Sequence, residues 1–119
     1  MKISKDDYYV IAYKLLSYLY SCLKVGDYPI DIKNLTHDSY VLKIDINGLY
    51  WEYVVRHLYE DGYIDGIDVI DVCGLNFPVV KINSWIEITP SGIDFLNNNS
   101  NMIKVKELLK DIKEILPWS

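Results

Sequence analysis

Apolar positions come in stretches whose period changes along the chain. Residues 5–24 contain no Gly or Pro and read as one long helix, with Asp6 and Asp7 suited to its positive N-terminal end and Gly26 to its stop. One stripe is Tyr8, Ile11, Leu15, Leu19 and Cys22; a second is Tyr9, Tyr13, Leu16 and Tyr20. A helix apolar over most of its circumference is central or shared with a partner. Tyr28-Pro29 is a break, and residues 30–46 alternate weakly, allowing a short helix near 31–36 and then a strand or a turn. Asn47 is a candidate N-cap for a helix over 48–61 that ends at Gly62, with Trp51, Val54, Val55 and Leu58 inside. On its outer face Glu52, Arg56 and Glu60 stand four apart, the spacing of a salt-bridge ladder.

The period then shortens. Residues 63–72 read as strand interrupted at Asp65-Gly66 and Asp68, residues 73–78 as a turn, and 79–82 with 85–88 as the returning strand. Thr89 as N-cap and Pro90 at the first helical position start a helix that ends in Asn97-Asn98-Asn99. A last helix is expected over 101–116, stopped by Pro117. In it Met102, Val105, Leu109, Ile112 and Leu116 follow the 3-4-3-4 spacing of a two-heptad seam.

Helix, short helix, helix, hairpin is the order of an α+β, winged helix-turn-helix-like domain. In that reading 48–61 is the recognition helix and 63–88 the wing, with its tip near 73–83. Residues 1–99 form the domain, and 100–119 are a C-terminal helix packed on it or used for dimerisation. Leu58-Tyr59-Glu60-Asp61-Gly62-Tyr63-Ile64 is similar to the helix-to-wing junction of winged-helix proteins, and Ile88-Thr89-Pro90-Ser91-Gly92-Ile93-Asp94-Phe95-Leu96 to their T-P-x-G exit from the wing. With the Asp6-Asp7-Tyr8 start and the ending over 106–117, the chain resembles the YjcQ-like family. That resemblance implies a small winged-helix protein of bacterial, phage or prophage type, and assigns neither an activity nor functional residues.

Composition sharpens this. The 119 residues are half apolar, enough for one modest core, and carry 12 Lys+Arg against 17 Asp+Glu, a net charge of −5. Residues 1–56 balance seven acids with seven bases, whereas 57–99 hold seven acids and only Lys81. The deficit falls on the elements a winged helix turns toward phosphates, where Lys and Arg supply much of the affinity. Nucleic-acid contacts, the alternative reading, would fall to Tyr53, Arg56 and Lys81. Arg56 reads more simply as the partner of Glu52 and Glu60. The preferred reading is a DNA-reader scaffold that binds protein through Asp61, Asp65, Asp68 and Asp71. The seam Met102, Val105, Leu109, Ile112 and Leu116 suits either a dimer or packing on the chain's own first helix. A dimer would give DNA a positive groove from Lys104, Lys106, Lys110 and Lys113.

Catalysis finds no footing. The chain lacks G-x-x-x-x-G-K, G-x-G-x-x-G, H-E-x-x-H and G-x-S-x-G, and Cys22 and Cys73 with His37 and His57 lack metal-ligand spacing. No cofactor, metal or small-molecule substrate is expected. Free thiols suit a reducing cytoplasm. The run over 8–23 is too short and too tyrosine-rich to span a membrane, and no small-residue cleavage site follows it. Eleven tyrosines stand out, and most suit the edge of a core, with Tyr53 the one expected to point outward.

Overall fold

A computed structural model describes residues 4–118. The first helix, α1, runs Tyr8–Val25 and buries Val10, Ile11, Ala12, Leu15, Leu16, Leu19 and Cys22, so it is the central helix its pattern required. Asp7 takes the N-cap position, but its carboxylate accepts hydrogen bonds from Ser4 N and Oγ at 3.0 and 2.9 Å, with no side-chain bond to the helix. Gly26 ends α1 at φ 73°, donating its N–H to the Cys22 carbonyl. That left-handed conformation is one only glycine adopts cheaply.

The segment that follows resolves into turns. A 3-10 turn spans Ile32–Asn34, capped by Asp31, whose side chain accepts from Lys33 N. Ser39 Oγ donates to the Asn34 carbonyl and accepts from Leu42 N, folding residues 35–44 so that Leu35, Leu42 and Ile44 are buried. Helix α2, Gly48–Glu60, starts where Asn47 Oδ1 accepts from Leu49 N at 2.7 Å, and buries Trp51, Val54, Val55 and Leu58 as expected.

Strands β1, Ile64–Ile70, and β2, Val79–Ile88, pair antiparallel from Ile64 opposite Ile88 to Ile70 opposite Val79. The register jumps between Asp65 and Ile67: Gly66 alone stands against residues 83–86. Gly66 sits at φ 93°, and a Cβ there would come within 2.6 Å of the Ile86 Cα, so backbone packs on backbone where no side chain fits. The bulge is anchored from behind: Ile30 N donates to the Ser84 carbonyl at 2.8 Å, Tyr28 Oη to the Ile86 carbonyl at 2.7 Å, and the Tyr28 ring stacks on Trp85. The strands close at 70 and 79, so the hairpin tip is 71–78 and not 73–83. Residues 79–82, expected as the first run of the returning strand, pair with β1 as β2 begins, so only the tip bound near 83 reached too far.

Thr89 Oγ1 accepts from Gly92 N at 3.0 Å and starts α3, Pro90–Asn98; Asn99 caps α4, Ser100–Asp111. The helix expected over 101–116 therefore stops five residues early. Lys113 turns left-handed at φ 56°, and Glu114 N donates back to the Leu109 carbonyl at 2.9 Å. The turn brings Glu114 Oε1 to 2.7 Å from Lys14 Nζ, which is 97 % buried in α1 and also donates to the Lys43 carbonyl at 2.8 Å. Leu116 then packs with Val10, Val105 and Leu109 in a small second core, beside a larger one built from α1, α2, α3 and the base of the hairpin. The described residues thus form an α+β domain of four α-helices and one two-stranded antiparallel hairpin, with a 3-10 turn where a second helix of a helix-turn-helix was expected.

Removing one partner of a buried ion pair leaves an uncompensated charge. Glu114→Gln is expected to lower the unfolding free energy by about 3 kcal/mol, and Lys14→Met combined with Glu114→Leu to recover most of that loss. Urea unfolding of the two variants checks both.

Candidate functional site

On both sides of the bulge the hairpin keeps one face toward the core. Ile64, Ile67, Ile86 and Ile88 turn into the core, and Asp65, Asp68, Lys81 and Glu87 are exposed on the opposite face. Register puts Asp65 directly opposite Glu87, a like-charge pair, and Asp68 opposite Lys81. Asp61, the C-cap residue of α2, and Asp71, just past β1, extend the exposed carboxylates toward the base and the tip. All four aspartates singled out in the sequence are therefore exposed along one stretch. Sequence reasoning missed Glu87 as a member, because its place on this face depends on strand pairing across the bulge. It missed also that the tip presents Ile70, Val72, Leu75 and Phe77 to solvent.

The residues considered for nucleic acid are only partly brought together. Tyr53 is exposed on α2, and the Arg56 guanidinium lies 5.9 Å from its ring centroid. Arg56 Nη1 is also 3.6 Å from Glu60 Oε1, the i,i+4 pair expected. Glu52 does not complete the ladder: its Oε1 accepts from Val80 N at 3.4 Å, tying α2 to β2. Lys81 stands on the hairpin and, with Glu52, lines a different groove of about 730 Å³ walled by Ile32, Leu35, Leu49, Trp51, Val80 and Ile82. Arg56 thus pairs with Glu60, and Lys81 stands opposite Asp68 in the strand register.

The proposed dimer seam is spent inside the chain. Met102, Val105, Leu109 and Leu116 are buried, the last three in the core shared with Val10 of α1; Ile112 lies past the end of α4 and is exposed. A continuous helical seam needs residues 112 and 116 on the same helix as 102–109, and the turn at Lys113 removes them. Lys104, Lys106 and Lys110 are exposed on α4, and Lys113 lies beyond it. Cys22 is buried, which pushes its thiol upward from its usual pKa and keeps it protonated; Cys73 is exposed at the hairpin tip. Among the described residues no group of three or more His, Cys, Asp or Glu side chains could hold a metal, and no helix is long and apolar enough to cross a membrane.

The family model described as YjcQ protein matches residues 13–115, from the middle of α1 to the turn after α4. The chain belongs to the YjcQ family. No curated protein and no solved structure matches it. The matched span takes in the junction at 58–64 and the exit at 88–96 that carried the resemblance. In the structure the two stretches form one unit. Tyr63 N donates to the Leu58 carbonyl at 2.9 Å and Thr89 N to the Tyr63 carbonyl at 3.0 Å, and Thr89 Oγ1 donates to the Gly62 carbonyl. Junction and exit are therefore bonded to one another at the base of the hairpin.

The tyrosines divide between core edge and surface. Burial, first, and the neighbouring Cys22 push Tyr18 up to about 12; burial, again first, pushes Tyr28 up to about 12. Both rings stay neutral in the fold up to that pH, whereas in the unfolded chain they ionise near 10. Their contribution to stability is therefore whole below pH 10 and is lost as pH rises from about 10 to about 12. Tyr28→Phe, which has no phenol to ionise, is expected to unfold less steeply across that window than the parent chain, as measured by urea midpoints at stepped pH.

Proposed function

We propose that this YjcQ protein acts without catalysis, as a winged-helix-type scaffold whose acidic hairpin binds a basic surface on another protein. The observation that carries this reading is the exposed face of Asp65, Asp68 and Glu87, extended by Asp61 and Asp71 and relieved only by Lys81. Like charges directly opposite on paired strands cost stability. Asp65 and Glu87 therefore weaken the hairpin they stand on, and a fold that tolerates them gains by using them elsewhere. Electrostatic complementarity gives such a face fast encounter and selectivity toward basic partners. The exposed Ile70, Val72, Leu75 and Phe77 at the tip add the apolar contact that charge alone does not supply.

In the phage or prophage setting that the family resemblance implies, the fitting partner is a host or defence protein with a basic nucleic-acid channel. Two thiols with no disulfide between them suit a cytoplasmic location. A transcriptional regulator built on the same element order would instead present Tyr53, Arg56 and Lys81 to DNA. Duplex DNA brought to this hairpin meets carboxylates first, and the side chains that would offset them are opposed by Glu60 and Asp68.

A gel-shift titration with duplex DNA at low salt separates the two. No complex is expected at micromolar protein. A tight complex that weakens steeply as salt is raised would contradict the protein-binding reading and return Tyr53, Arg56 and Lys81 as contacts.

A further inference from the structure

At the base of the acidic hairpin, near Asp61, runs a row of four rings joining α1 to α2. Tyr9 stands edge-on to Tyr8 with centroids 5.3 Å apart, Tyr8 edge-on to Tyr53 at 6.2 Å, and Tyr53 leans on His57 at 4.2 Å. Tyr8 is half-buried and forms the floor, while Tyr9 and Tyr53 are 37 % and 46 % exposed. The row is held in place: Tyr50 Oη donates to the Asp6 carbonyl at 2.7 Å, which fastens the segment leading into α1 onto α2.

The surroundings are anionic. Asp61 lies close enough to Tyr8 to hold its phenol in the neutral form, second only to burial in that effect, and Asp6 and Asp7 act likewise on Tyr50. Arg56 lies at the edge of this patch, 3.6 Å from Glu60. Its guanidinium lies 5.9 Å from the Tyr53 centroid, the contact its i,i+3 place on α2 allows. Ring faces are electron-rich, and a flat, weakly hydrated guanidinium stacks on them better than a compact ammonium does. Exposed tyrosines in a charge-complementary rim are also the composition of an interface hot spot.

We propose that the row Tyr9–Tyr8–Tyr53–His57, rimmed by Asp6, Glu60 and Asp61, docks an arginine side chain of the basic protein partner. This rests on the acidic-surface reading above and adds to it a chemical preference: the hairpin supplies attraction to any cation, and the ring row selects arginine over lysine.

Two peptides of equal charge, one with three arginines and one with three lysines separated by glycines, are titrated against the full chain by fluorescence anisotropy. The arginine peptide is expected to bind ~5-fold tighter. Tyr9→Leu with Tyr53→Leu is expected to remove that preference while leaving a weaker binding common to both peptides, and Tyr53→Phe, which keeps the ring, to retain it. Asp65→Asn with Asp68→Asn weakens both peptides and leaves the ratio unchanged. Equal affinity of the two peptides for the parent chain, or a preference that survives loss of both tyrosines, overturns the arginine site and leaves the acidic-surface reading standing. Failure of both peptides to bind overturns the arginine site and the acidic-surface reading together.

Discussion

The ammonium of Lys14 is the point on which three parts of the chain converge. It lies in the middle of the most apolar helix, almost wholly buried, and burying a charge is tolerable only if it is paired and hydrogen-bonded. Glu114 provides the pair and the Lys43 carbonyl a second acceptor. Both come from segments with little regular structure of their own, the turns over 35–44 and the tail after α4. The Lys43 side chain in turn donates to the Ile115 carbonyl, and Trp118 Nε1 donates to Ser17 Oγ of α1. The tail is thereby held on the face of α1 that α2 and the hairpin leave uncovered. Its apolar residue Leu116 completes the second core with Val10, Val105 and Leu109.

Local chemistry was legible where a single residue decides an outcome. Asn47 and Thr89 each satisfy an orphan backbone N–H at a helix start, and both helices begin there. The gap at residues 83–84 between two strand-like runs marks the bulge opposite Gly66. The family resemblance rested on two short stretches, 58–64 and 88–96, and the structure bonds them to one another. The misses arose where a distant partner overrides a local pattern. The 3-4-3-4 spacing of Met102, Val105, Leu109, Ile112 and Leu116 continues past Asp111, but the helix does not, because the turn at Lys113 delivers Glu114 to Lys14. Nothing near residue 112 in the sequence announces a lysine a hundred positions away. The turn over 73–78 and the returning strand from 79 were legible in the change of period, whereas the tip bound near 83 overran the strand pairing of 79–82 with 67–70.

The candidate site was legible in part. Asp61, Asp65, Asp68 and Asp71 are exposed as their spacing suggested, and Tyr53 points outward. Glu87 joins them only through strand register, and Tyr8, counted on the buried stripe of α1, turns out to be the floor of a surface ring row. The hairpin and the segment around it hold most of the chain's acid excess, with Lys81 opposite Asp68 in the strand register.

The central claim is that the hairpin carries acid at a cost to its own stability. Urea unfolding of Asp65→Lys tests this most directly, because the new lysine stands directly opposite Glu87. The account predicts a more stable chain, by about 0.5 kcal/mol, as a repulsive cross-strand pair becomes an attractive one. A less stable chain would show that the Asp65 carboxylate serves the fold, and would contradict the claim that it is kept for a partner.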